Sequence, residues 1–92
     1  MELGLAYYLR GRYEDAVTVV RRGISRHKDF VGHYITLAAA YARMGRIDDA
    51  ESAARKVLKL HPFFEVNDYG SAFSNPSDRE KIADGLRKAG LK

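Results

Sequence analysis

The stretch LGLAYYLRGRYEDA at residues 3–16 returns at residues 37–50 as LAAAYARMGRIDDA. At this one offset Leu3 falls on Leu37, Ala6 on Ala40, Tyr7 on Tyr41, Gly11-Arg12 on Gly45-Arg46 and Asp15-Ala16 on Asp49-Ala50. The register holds downstream, pairing Arg21 with Arg55, Ile24 with Leu58 and Phe30 with Phe64. Self-similarity at a period of 34 residues marks a stacked repeat, in which no unit can bury its apolar face alone and each covers its neighbour.

The paired residues explain the shape of the unit. Small side chains at Gly4, Ala16, Ala38 and Ala50 let two antiparallel helices approach closely, while Tyr7 and Tyr41 fill the space beside them. Gly11 and Gly45 suit helix ends, because glycine enters the left-handed region without steric cost. The spacing predicts helices over about 1–10, 13–27, 30–44 and 47–60, joined as two hairpins.

These residue types resemble the tetratricopeptide (TPR) repeat, with an aromatic, a leucine, a small residue and a tyrosine on the first helix and an alanine on the second. The second copy carries Tyr34, Leu37, Ala38, Tyr41, Gly45, Ala50 and Pro62, departing at Ala54 where a large apolar residue is expected. The first keeps Leu3, Gly4, Tyr7, Gly11, Ala16 and Val20, has Lys28 in place of the closing proline, and lacks the front of its first helix. The resemblance implies an all-α chain, a short right-handed solenoid of two repeats within residues 1–62. The first runs over about 1–30 and the second from about 31 into residue 64.

A third copy fails. Continuing the register puts Asp68, Ser71, Ala72 and Asn75 at the four marker positions of the first helix, then Arg79 at the turn glycine and Asp84 at the packing alanine. Residues 63–76 are instead aromatic and turn-rich, a connector folded as a short helix or packed loop. Ser77 and Glu80 have capping-box spacing, which predicts an amphipathic capping helix over 77–92. Ile82, Ala83, Leu86 and Ala89 form its apolar face, and Gly90-Leu91 its stop. Such a helix is the expected lid over the exposed flank of the last repeat.

The tail, Asn75-Pro76-Ser77-Asp78-Arg79-Glu80 followed by Asp84-Gly85-Leu86-Arg87-Lys88-Ala89-Gly90-Leu91, resembles the C-terminal end of bacterial class III adenylate or guanylate cyclase-like proteins whose catalytic domain precedes a TPR region. That resemblance implies the non-catalytic, regulatory or assembly portion of a larger protein. No cyclase residue can be placed in this chain.

Other function classes find little support. Hydrophobic residues at 46% with charged residues at 30% describe a soluble globular chain, not a disordered one. No apolar run approaches a membrane span and no signal peptide opens the sequence, while the absence of cysteine removes disulfides and fits a reducing, cytoplasmic setting. His27, His33 and His61 have no ligand partners at metal spacing. The glycines form no phosphate loop, and Glu14-Asp15 and Asp48-Asp49 open helices, where the dipole stabilises negative charge. We therefore expect no catalytic residue, metal or cofactor.

Two surfaces remain as candidates. In a stacked TPR array the first helix of each repeat lines the inner face, so Leu5, Tyr8, Leu9, Ile35, Thr36, Ala39, Ala42 and Arg43, with Glu2 beside them, are expected to meet a protein or peptide partner. The apolar character of those positions suits an extended or helical apolar ligand. The truncated first helix, with Met1, Leu3, Leu5, Tyr8 and Leu9 uncovered, is also expected to pair two copies as a homodimer. Residues 1–46 hold eight Lys/Arg and four Asp/Glu, against eight of each in residues 47–92. The excess gathers at Arg21, Arg22, Arg26 and Lys28, a basic patch and the alternative site for anionic partners. Nucleic acid would want a broader basic stripe.

Overall fold

The computed structural model describes residues 3–92 as six α-helices, with no strand among the described residues. Four form the two hairpins: α1 (Leu3–Leu9), α2 (Tyr13–Arg26), α3 (Val31–Arg43) and α4 (Ile47–Leu60). These follow the spacing of the repeat, α4 at the expected bounds and α2 and α3 shorter by a residue at one or both ends. The part of the first helix expected at Met1 and Glu2 lies outside the described residues.

The two Gly-Arg turns are copies in atomic detail. Gly11 and Gly45 share φ of 79°, a left-handed value. The Gly11 N–H donates to the Tyr8 carbonyl at 3.0 Å and the Arg12 N–H to Tyr7 at 2.9 Å; Gly45 and Arg46 repeat this onto Ala42 and Tyr41 at 3.1 and 2.9 Å. This pair of bonds satisfies carbonyls that a helix end otherwise leaves bare. Each arginine then lies over the tyrosine before it, 4.8 Å from the Tyr7 ring and 4.7 Å from Tyr41. It also reaches the aspartate after it, Asp15 or Asp49, at 2.7 Å in both repeats. The same four residue types thus stop one helix, fold the turn and start the next.

Small residues sit where helices cross. Ala16, Ala38 and Ala50 are fully buried, and a methyl added at Gly4 would press on Val20 Cγ2 at 2.5 Å. The central helix is α3, which packs on α2 and α4 with one side and turns the other toward the chain's C-terminal part.

Beyond the repeats the chain departs from the expected lid in two respects. The connector contains a one-turn helix, α5 (Val66–Gly70), held by a ladder of rings from His61 through Phe64 and Tyr69 to Phe73 at centroid spacings of 5.6–6.0 Å. Helix α6 (Pro76–Lys88) begins one residue before the expected Ser77. Asn75 is its cap, its Oδ1 accepting from the Ser77 and Asp78 N–H groups at 2.8 and 3.4 Å. Pro76 decides this: its fixed φ suits the first helical position and it has no N–H to leave unpaired there, so Ser77 is drawn into the helix and the predicted capping box does not form. The expected stop does form. Gly90, with φ of 100°, and Leu91 donate to the Arg87 and Leu86 carbonyls at 3.0 and 3.1 Å.

The second departure is the position of α6. It packs chiefly along α3, with α5 and the edge of α1 beside it, and so covers the inner side of the solenoid, not an end flank. Backbone and side-chain ties hold the tail there. The Val66 N–H donates to the Lys92 carbonyl at 2.8 Å, Arg79 donates to the Gly70 and Phe73 carbonyls at 3.2 and 2.7 Å, and Arg87 to Asn67 Oδ1 at 2.7 Å.

Candidate functional site

The inner-face residues named from the sequence do come together on one surface, and α6 lies on it. Leu5, Tyr8, Ile35, Thr36, Ala39 and Ala42 are all buried, while Leu9 and Arg43 are half-buried. Glu2 lies outside the described residues. Ile82 and Leu86, both fully buried, supply the opposing apolar face. Their spacing of four places them one turn apart on the same side of α6.

Close approach depends on Gly85. A methyl added there would overlap the Tyr8 hydroxyl and come within 3.1 Å of Ala39 Cβ. At this crossing the Tyr8 hydroxyl donates to the Lys81 carbonyl at 2.6 Å. Arg43 closes the arrangement, its Nε donating to the Tyr8 oxygen and its Nη2 to the Lys81 carbonyl, each at 3.3 Å. The Arg43 guanidinium also pairs with Asp84 at 3.3 Å, and Asp84 with Lys88 at 3.4 Å. Lys81 Nζ returns the contact by donating to the Leu9 carbonyl at 3.4 Å. Burial pushes the Tyr8 hydroxyl above the ordinary tyrosine range, outweighing the opposing pull of Arg43. The hydrogen bond to Tyr8 in turn raises the affinity of Arg43 for its proton. Both groups stay protonated at neutral pH, which keeps the hydroxyl a donor and the guanidinium a cation.

Chemically, this surface grips a helix: an apolar stripe for two large side chains, a small-residue crossing, and a polar latch on one edge. Sequence reasoning placed the receiving residues but missed Lys81, Asp84 and Gly85 as their complement. The available signal was Gly85 itself, a poor helix former at the centre of the apolar face of a helix. Leu5 and Tyr8 were also expected to find cover from a second copy. They find it within the chain, Tyr8 under α6 and Leu5 beside Tyr69 and Phe73 of the connector, leaving Leu3 exposed.

A family model described as tetratricopeptide repeat matches residues 1–33 and 30–61. The chain belongs to the tetratricopeptide repeat family. No curated protein and no solved structure gave a match. The family match stops at residue 61, just before the aromatic connector, so the TPR hairpins are the matched part and α5 and α6 lie beyond it.

The TPR register also accounts for the histidines. His27 and His61 are equivalent C-caps of α2 and α4, their N–H groups donating to Gly23 and Val57 carbonyls at 2.8 Å. His33 packs edge-on against Phe30 with centroids 4.9 Å apart, and the missing side chain of Gly23 makes room for its ring. Arg21, Arg22, Arg26 and Lys28 are exposed. Of the four, Arg21 lines an outer groove between the second helices of the two TPR units, where Arg55, Lys56 and Lys59 face it from α4. The other three lie outside that groove.

Proposed function

We propose that this TPR chain is a protein-interaction module whose inner groove receives an amphipathic helix, and that α6 is the occupant built into the chain. One observation carries the reading: α6 sits in the groove by the helix-in-groove mode, with Ile82 and Leu86 as anchors one turn apart and Gly85 at the crossing, the pattern by which such grooves take partner helices. The TPR fold is a non-catalytic scaffold type, and the polar groups here are spent on holding a helix. Competition tests the reading. A fluorescent peptide of residues 75–92 added to the intact chain should bind weakly, because the tethered copy acts at high effective concentration. After Ile82→Asp with Leu86→Asp frees the groove, binding should tighten by about tenfold or more. An opened variant that keeps its helical circular dichroism yet ignores the peptide would overturn the reading.

The tail supports a second, finer part of it. The residues similar to the end of bacterial cyclase-like proteins include Asp84, Gly85 and Leu86, which dock on the TPR groove. A tail and a TPR unit that fit each other would be inherited together. We read the chain as the two repeats, connector and capping helix of a larger cytoplasmic protein of that kind, with a regulatory or assembly role. The coding sequence upstream decides it: a cyclase domain supports the reading and an unrelated or absent domain removes it.

A further inference from the structure

The face of α3 turned away from α6 floors the outer groove between α2 and α4, an open cavity of about 760 Å³. Its floor is apolar, with Leu37 and Ala53 buried and Ile24 half-buried. Its rim is cationic. Arg46 pairs with Asp49, the groove's one carboxylate, at 2.7 Å, which leaves Arg21, Arg55, Lys56 and Lys59 with no carboxylate partner among the described residues. Arg21 donates to the Tyr41 hydroxyl at 3.4 Å, and Lys56 lies over the Tyr34 ring at 5.5 Å. Arg21 and Arg55 are equivalent positions of the two repeats, so the stacking of one hairpin on the other brings them to the same groove.

We infer that this outer groove is a second binding site, distinct from the one filled by α6, and that it takes an acidic amphipathic peptide segment of a partner protein. Charge complementarity selects the sign of the ligand: four uncompensated cations around a partly enclosed floor attract carboxylates and form charge-assisted hydrogen bonds with them. The apolar floor selects a ligand with aliphatic side chains as well as acids. Size agrees, since the stretch of α4 from Ser52 to Lys59 is about 10 Å long, room for two turns of helix. Nucleic acid fits less well. Base stacking needs free aromatic faces, and here the Tyr41 ring is covered by Arg46 and the Tyr34 ring by Lys56, while the Tyr34 hydroxyl is committed to the Lys28 carbonyl at 2.6 Å.

Fluorescence anisotropy on the full chain tests this. The probes are a peptide of about twelve residues with Glu and Asp on one helical face and Leu on the other, its Gln/Asn counterpart, and a single-stranded oligonucleotide of matched charge. The acidic peptide should bind best, and its affinity should fall with added salt. Arg55→Glu with Lys59→Glu should weaken it by about tenfold or more, whereas Arg22→Glu with Arg26→Glu, outside the groove, should change it far less. Opening the inner groove by Ile82→Asp with Leu86→Asp should leave this binding in place, which separates it from the reading of α6. Failure of the acidic peptide to bind, equal loss from both pairs of charge reversals, or tighter binding of the oligonucleotide would each overturn the inference.

Discussion

The Tyr8 hydroxyl and the Lys81 carbonyl meet at 2.6 Å across 73 residues of chain, joining the first helix of the solenoid to its last. Without α6, Tyr8 would present a hydroxyl on an otherwise apolar inner face. With it, the hydroxyl has an acceptor in Lys81 and a donor in Arg43, and the surface proposed for a partner is closed by the chain itself. On the proposed reading, the function and the stability of this TPR unit share one equilibrium, docking or release of α6.

That equilibrium should depend on alkali. Burial raises the Tyr8 pKa, so the folded chain holds the proton more firmly than the unfolded chain, where tyrosine titrates near about 10. The contribution is complete below about pH 10 and is lost as pH rises through the folded pKa, because the unfolded chain deprotonates first. Asp84 and Tyr13 oppose tyrosinate formation and Arg43 favours it, with burial dominant. Thermal melts from pH 8 to 11 should show a decline that Tyr8→Phe reduces. The same variant should cost about 0.5–1.5 kcal/mol at neutral pH for the lost hydrogen bond. Identical alkaline declines in both proteins would refute the link.

Gly85→Ala sets two effects against each other. Alanine favours a helix interior over glycine by about 1 kcal/mol, but here its methyl would overlap the Tyr8 hydroxyl and crowd Ala39. Overpacking of this kind costs about 1–3 kcal/mol, and packing should win. Chemical denaturation is expected to show a lower midpoint, and a raised midpoint would mean that α6 does not approach this closely.

Gly45→Ala isolates backbone conformation from packing. Nothing lies within 4 Å of a methyl added at Gly45, yet φ is 79°, a region that costs an L-residue about 1–2 kcal/mol. Destabilisation of that size, without loss of helix content, is the expected result; the equivalent Gly11→Ala should match it. A neutral effect at both positions would deny the shared turn geometry.

Ala50 is fully buried at the crossing of the second hairpin, so Ala50→Leu should destabilise by about 1–3 kcal/mol. An unchanged melting midpoint would contradict the packing of α3 on α4.

The hairpins were legible because their signals are local and occur twice: Tyr7-Gly11-Arg12-Asp15 and Tyr41-Gly45-Arg46-Asp49 each specify a helix end, a turn and a helix start within a few residues. The start of α6 was less so, since Asn75 and Ser77 both offer a cap and Pro76 decides between them through its missing N–H. Its docking position was not legible. An amphipathic face reports that a helix is covered, not by what, and an end flank and an inner groove ask for the same pattern. The outer groove was obscured for a different reason. Along the chain Arg21 stands with Arg22, Arg26 and Lys28, while the repeat register pairs it with Arg55, and Arg21 and Arg55 line the same groove.

Removal of residues 76–92 gathers these points into one measurement. The deletion uncovers the strip of α1 and α3 that faces α6, with Tyr8 and Ala39, which meet Lys81 and Gly85, at its centre. It also strips the Tyr8 hydroxyl of its acceptor and Asp84 from Arg43. The α1–α4 hairpins keep their own turns, caps and small-residue crossings, so helical signal should fall roughly in proportion to the residues lost. The bare strip, however, is the kind of surface that associates in water, and two copies can bury it symmetrically by laying inner face on inner face. Light scattering at micromolar concentration should therefore show a monomer for the full chain and a dimer or larger species for the truncated one. Adding Ala39→Glu to the truncated chain should restore the monomer by placing a charge in the strip. A truncated chain that is folded and monomeric without that change would show that the inner face does not need cover, and the groove reading would fall with it.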